Sequence, residues 1–196
     1  ALESGEVDIM GEIPKLDAAR LGAADSFSLL AVPIPGQPLQ FFFNTTLSPT
    51  DDPLVREALF QSLDRAAIVD TIFGSSSPIA SDILSSSMHT FPHAQRFETG
   101  SAHHSISSPG PSPTAEDLLD QAGWPADPQT GKRSREGRAL NVRIAAPTWG
   151  MNPEVAQLMR AGWENLGMEV EIQVMPGFGQ LNEAHDSNTF HLIGIN

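Results

Sequence analysis

Six histidines and 24 acidic residues are the chain's stock of groups able to hold a metal or move a proton. Four of the histidines, His89, His93, His103 and His104, fall in one stretch. Metal ligation needs spacings that bring donors to one point. Pro92 blocks the helix that would put His89 and His93 on one face, and no carboxylate or cysteine stands at a recognised spacing from them. They are read as solvated loop histidines, so no metal or other cofactor is expected. Asp127-Pro128-Gln129-Thr130-Gly131 resembles the start of a calcium loop, but later oxygen ligands are missing and no Glu closes it. A hairpin turn is the better reading. Lys132, Arg133, Arg135 and Arg138, 4 of the 11 basic residues, then read as a solvated turn, with a docking contact as the alternative. Serine is plentiful, yet no Gly-x-Ser-x-Gly elbow occurs and no glycine-rich phosphate loop follows a strand. Carboxylates are spread singly over polar faces, so no acid/base pair emerges. A catalytic reading has no constellation to stand on.

One stretch offers binding chemistry instead. Ala145 to Asn152 (AAPTWGMN) leaves the carboxyl end of an expected parallel strand and enters a helix N-terminus, where open α/β sheets generally place ligands. Trp149 is large, sits among turn formers and matches no core period. It either faces a ligand or covers a loop.

The elements that must position this stretch are legible in the apolar spacing. Leu140, Val142, Ile144 and Ala146 alternate as a strand. Asn152-Pro153 opens a helix with Val155, Leu158/Met159, Trp163 and Leu166 on one side and Gly167 as terminator. Val170, Ile172 and Val174 alternate against Glu169, Glu171 and Gln173 as the next strand, which implies a right-handed parallel crossover. Upstream, Leu39 to Phe43 is an aromatic strand and Asn44 to Asp52 a loop. Asp52 as N-cap and Pro53 as first helical residue then begin one long amphipathic helix ending at Gly74. Thr114 caps a helix over Ala115 to Ala122, with Asp117 three residues on as a shorter version of the capping-box acid and Gly123 closing it, and residues 125 to 138 form a polar turn region. Weaker expectations are a helical stub at Leu2 to Ser4, a strand at Val7 to Met10, a helix at Lys15 to Ala24 and strands at Phe27 to Ile34 and Thr189 to Ile195. Residues 75 to 113, rich in Ser, Pro, His and Gly, keep no period and read as a long irregular loop.

Length and charge narrow the class. A chain of 196 residues buries about 70% of its unfolded surface, enough for one core or two small ones. A formal charge of −13 argues against nucleic acid or an anionic membrane as partner. With no cysteine there is no disulfide and no thiolate chemistry. No apolar run approaches the ~18 residues of a membrane span, and no segment has the layout of a signal peptide. The fold class expected is α/β, a mixed sheet flanked by helices.

Several segments in order resemble the bacterial extracellular solute-binding proteins of family 5, the peptide, dipeptide and nickel receptors of ABC importers. They are Leu2-Glu3-Ser4-Gly5-Glu6-Val7-Asp8-Ile9; Phe43-Asn44 with Asp52, Val55-Arg56-Glu57-Ala58-Leu59 and Leu63-Asp64-Arg65-Ala66-Ala67-Ile68-Val69; Ala115 to Trp124; and Leu166-Gly167-Met168-Glu169-Val170. The resemblance implies a periplasmic-binding-protein type II-like lobe, with residues 1–196 forming the C-terminal lobe of a longer, two-lobed receptor. It further implies capture of a small solute, foremost a peptide, between hinged lobes and delivery to a membrane permease, with no chemical step. The expected partners are the solute, the ABC permease and the N-terminal lobe of the same protein; the expected place is the periplasm or outer face of the membrane. Carried over to this chain, the resemblance nominates Trp149, Met151 and Phe178 as this lobe's contribution to the solute cleft. A small α/β hydrolase or transferase and a non-catalytic interaction module are the alternatives.

Overall fold

The computed structural model describes residues 1–11, 13, 15–30, 36, 38–74, 77–80 and 113–195. The four clustered histidines and nearly all of the expected 75–113 loop lie outside them.

A four-stranded mixed sheet forms the centre, in the order β1 (Gln40–Phe43), β6 (Leu192–Ile195), β4 (Asn141–Pro147), β5 (Glu169–Met175). β4 is parallel to both β5 and β6, and β1 is antiparallel to β6. β4 and β6 are the interior strands. In β4, Val142, Ile144 and Ala146 point to one face, and all three are fully buried. That face is covered by α5 (Asn152–Glu164), together with α2 (Pro53–Gln61) and α4 (Ala115–Gln121). The opposite face of β4, at Ala145, is covered by α6 (Phe178–Asp186) through Leu181 and Ala184. Outside the sheet, α1 (Lys15–Gly22) and a small hairpin of β2 (Ser134–Arg135) and β3 (Arg138–Ala139) complete the elements among the described residues with α3 (Arg65–Ile72).

The helix starts follow their capping chemistry. Asp52 accepts the Leu54 N–H at 2.8 Å with Pro53 as first helical residue. Thr114 and Asp117 form a reciprocal capping box. Those hydrogen bonds hold the Asp117 carboxyl below the usual carboxylate range.

The single long helix expected from Pro53 to Gly74 is two helices, α2 and α3. Asp64 turns its carboxylate onto the Ala67 N–H at 2.9 Å and becomes an N-cap with non-helical backbone. A short acidic side chain competes with a helix interior by bonding local N–H groups. The carbonyl of Leu59, freed at the break, accepts from Trp163 Nε1 at 2.9 Å and from Ser62 Oγ at 3.1 Å. Gly74 does take a left-handed φ of +73°.

Other expectations fail, with no pairing strand among the described residues. Val7 to Met10 is not a strand, and Ile9 stands 89% exposed. A lone extended segment has no ladder to satisfy its backbone. Leu2 to Gly5 is a turn closed by Gly5 N–H on Leu2 O at 3.1 Å. Phe27 to Leu30 is not a strand either, and residues 31–34 lie outside the described residues. Val174, on the edge strand β5, remains 47% exposed.

The basic turn is not simply solvated. Arg133 is 3% exposed. Its Nε donates to Leu166 O at 2.8 Å, and its Nη1 donates to Asp120 Oδ1 at 2.5 Å and Trp124 O at 2.7 Å. Arg135 lies over the Trp124 ring, 4.4 Å from its centroid. The guanidiniums therefore tie the hairpin to α4 and to the end of α5. Asp127 does make the expected turn: its Oδ1 accepts from Gln129 N and Thr130 N, each at 2.8 Å. Those donors lower its pKa.

Candidate functional site

Trp149, Met151 and Phe178 gather where β4 and β5 end. Thr148 N–H donates to Met175 O at 3.0 Å, so the two strands stay paired up to the rim. The chain then turns through Gly150 and Met151, both left-handed, with φ of +65° and +64°. Glycine adopts this freely; for Met151 it is a rare conformation. Asn152, fully buried, fixes the turn by donating Nδ2 to Trp149 O at 2.7 Å. On the other side, Gly177 leads into α6, whose first residue is Phe178.

The result is a ring pair. Trp149 and Phe178 have centroids 4.6 Å apart at an interplanar angle of 32°. Trp149 is half-buried and packs against the cluster of Ala145, Met175, Leu181, Ala184 and Phe190, whereas Phe178 is 70% exposed and Met151 37%. An aromatic face of this size, half in water, can stack on an apolar or planar group. Among the described residues no two ionisable side chains in this corner form a nucleophile–base pair. Among the described residues no group of three His, Cys, Asp or Glu is placed to hold a metal.

A groove whose lining includes none of Trp149, Met151 and Phe178 lies on the α6 side of the sheet. It is an open groove of about 870 Å³, floored by Phe42, Ile193 and Ile195 and walled by α6 with Asn44 and Asn188 at one end. Asn44 Nδ2 donates to Asn188 Oδ1 at 2.7 Å and Phe190 O at 3.1 Å, tying the β1 exit to the β6 entry. Neither α6 nor this groove was expected from the sequence. The period of Phe178, Leu181 and Ala184 was the available signal, diluted by Gly177 and Gly179.

His191 lies next to this seam and is 4% exposed. Its Nδ1 accepts the Arg143 N–H at 2.9 Å, which leaves Nε2 protonated to donate to Ser48 O at 2.9 Å. Burial of the ring, foremost, lowers its pKa from the usual 6.5; Arg143 adds to this, and the Ser48 bond and Asp51 oppose it.

Solved structures share this fold. NikA from Brucella suis, crystallised with Fe(III)-EDTA, matches with a TM-score of 0.77 at 20% identity over 100% of this chain and 38% of that one. Lactococcal OppA, crystallised closed on an endogenous peptide, matches with a TM-score of 0.68 at 18% identity over 100% of this chain and 38% of that one. The fold is accordingly that of a periplasmic-binding-protein type II lobe. The nickel-binding periplasmic protein of Escherichia coli (strain K12) is 22% identical over 178 residues, 88% of this chain and 32% of that protein. The model of bacterial extracellular solute-binding proteins, family 5 Middle, matches residues 1–196, and the chain belongs to this family. It spans about a third of the length of these relatives.

Proposed function

We propose that residues 1–196 form one lobe of the solute receptor of an ABC importer, acting in the periplasm or at the outer membrane face. The lobe binds a small solute, foremost a peptide, against a second lobe of the same protein and presents it to a permease. Binding and lobe closure do the work, with no chemical step. The observation that carries this reading is the Trp149–Phe178 ring pair at the carboxyl rim of the parallel strands. Stacking on an apolar side chain requires no particular main-chain sequence, which suits a receptor that takes many peptides. A peptide is favoured over a bare metal ion because the rim offers aromatic rings and Met151, which are poor ligands for hard cations.

The test uses the tryptophans. Within residues 1–196 Trp124 and Trp163 are 5% and 0% exposed, so the part of the full receptor's signal that is lost in Trp149→Phe is the part that reports on the rim. Peptide mixtures and nickel–histidine complexes are titrated into the full receptor while emission is followed. Saturable quenching by peptides that disappears in Trp149→Phe supports the reading. Quenching by the nickel complex alone overturns the peptide assignment, and tight binding unaffected by Trp149→Ala and Phe178→Ala overturns the site.

A further inference from the structure

The Trp149 turn is fastened on two sides. On the β5 side, Thr148 N–H donates to Met175 O at 3.0 Å. On the other, Trp149 O accepts Asn152 Nδ2 at 2.7 Å and the Asn152 main-chain N–H at 3.4 Å. Asn152 is the first residue of α5 and is fully buried, although asparagine is mostly a surface residue. Gly194, the penultimate residue of β6, explains how it fits. A Cβ on Gly194 would collide with Asn152 Oδ1 and stand 3.0 Å from both Asn152 Cγ and Phe41 Cε1. Glycine weakens a strand interior and often marks a place where another group approaches closely. Here that group is the Asn152 amide, carried by the start of a different element.

The pair acts on Trp149 through the main chain. The Thr148 bond fixes where the turn leaves β4, and the Asn152 bond fixes the peptide plane that follows Trp149. The direction in which the indole leaves the backbone is set between them. Its side-chain torsions are then narrowed by Phe178, whose ring centroid lies 4.6 Å from that of the indole. Met151, with its left-handed φ of +64°, holds a conformation that persists only where the surroundings impose it. The Asn152 amide supplies that restraint. A ring fixed before the ligand arrives lowers the ordering cost of binding.

We propose that Asn152 and Gly194 are positioning residues for solute binding: the buried amide, seated where Gly194 has no side chain, holds the Trp149–Phe178 ring pair in its binding geometry. The proposal rests on the reading that this ring pair meets the solute. Both residues are buried, so they act through Trp149 and not by contact with solute. A specific non-additivity follows. Gly194→Ala harms the rim by pushing the Asn152 amide off Trp149 O. Once Asn152 is replaced by alanine, no amide remains to displace, and the added methyl meets only the Phe41 ring, as it does in either background.

The test uses the full receptor, with a peptide mixture as the solute probe. Asn152→Ala, Gly194→Ala and the double variant are compared by calorimetry, by thermal melts and by near-ultraviolet circular dichroism without solute. The dichroism of the ring pair is isolated by subtracting each protein's Trp149→Phe counterpart. Each single variant should lose about tenfold in affinity, within the range that coupled neighbours show, and should flatten the ring-pair signal. The double variant should bind no more weakly than Asn152→Ala alone. Losses that multiply in the double variant overturn the proposal. A lower melting temperature with affinity and ring-pair signal unchanged also overturns it, because that marks a structural role only. Gly167→Ala, beyond the far end of α5, is the control for lost stability and should leave the ring-pair signal intact. Should Asn152→Ala fail to fold, Asn152→Leu decides, since it fills a similar space but offers Trp149 O no donor; unchanged affinity there overturns the proposal. Solute affinity that ignores Trp149→Ala refutes the rim reading. Affinity that follows Trp149 but ignores Asn152 and Gly194 refutes this proposal alone.

Discussion

The indole N–H of Trp163, in the last turn of α5, donates to the main-chain carbonyl of Leu59 in α2 at 2.9 Å, and both residues are fully buried. This bond joins two helices 104 residues apart in sequence and occupies a carbonyl that a continuous helix would have used internally. Trp163→Phe removes the donor and part of the ring, with an expected loss of about 1–3 kcal/mol. Ser62 Oγ still reaches Leu59 O, so Trp163→Phe and Ser62→Ala should couple in a double-mutant cycle read by urea melts. Strict additivity would mean the shared carbonyl is not the cause.

Arg133 is the buried charge on which the hairpin, α4 and the end of α5 converge. Arg133→Met keeps the apolar stem but abandons the carbonyls of Leu166 and Trp124, for an expected cost of about 2–4 kcal/mol. Asp120 is half exposed and recovers its hydration, which keeps the cost from rising further. A loss below ~0.5 kcal/mol, the range of ordinary surface substitutions, would show that the arginine behaves as a solvated turn residue after all.

His191 makes stability depend on pH. Its native pKa is lowered from 6.5, chiefly by burial, so the unfolded chain binds the proton more readily than the native one. Stability from this residue is therefore present above the unfolded value and lost as pH falls from about 6.5 toward the native value. A proton on Nδ1 would also oppose the Arg143 N–H that this nitrogen accepts. Urea melts from pH 7.5 down to 5 should show the decline, and the difference between the native chain and His191→Gln isolates it from the other histidines. A difference independent of pH would refute the assignment.

Gly167 joins the end of α5 to β5 with φ of +83°, and a Cβ there would run into the carbonyl of Gly131. Its own carbonyl accepts the Arg133 N–H at 2.9 Å. Gly167→Ala combines a left-handed alanine with a main-chain collision, so an expected loss of about 2 kcal/mol or more follows. Gly137→Ala is the control: φ is also positive, at +76°, but nothing lies within 4 Å of the added methyl. Equal losses at the two glycines would leave the collision without effect.

Trp149→Ala should lower solute affinity by about 1–3 kcal/mol in the full receptor while leaving its melting temperature nearly unchanged. The ring is half-buried at the rim, so its removal exposes little core. Calorimetry and a thermal melt on one preparation separate the two effects. A large fall in stability would mark Trp149 as a loop cover.

The sequence by itself determined the elements whose signals are local. The alternation of Val142, Ile144 and Ala146, the Thr114–Asp117 capping box, Pro53 behind Asp52 and the glycine after α5 each specify structure within a few residues. The strand–loop–helix context of Trp149 was legible for the same reason. Tertiary structure decided what depends on distant partners. Asp64 could cap a second helix or ride on the face of a longer one, and the Trp163 bond to Leu59 favours the break. Arg133 looked like a turn residue because the three carbonyl and carboxylate groups that receive its guanidinium come from elsewhere in the chain. The contact between Trp149 and Phe178 needed α6, whose two glycines hid its period and whose helix gains stability only by burying Leu181 and Ala184 against β4 and β5. Val7 to Met10 failed in the opposite sense: its composition suits a strand, but a strand exists only where another edge receives its hydrogen bonds.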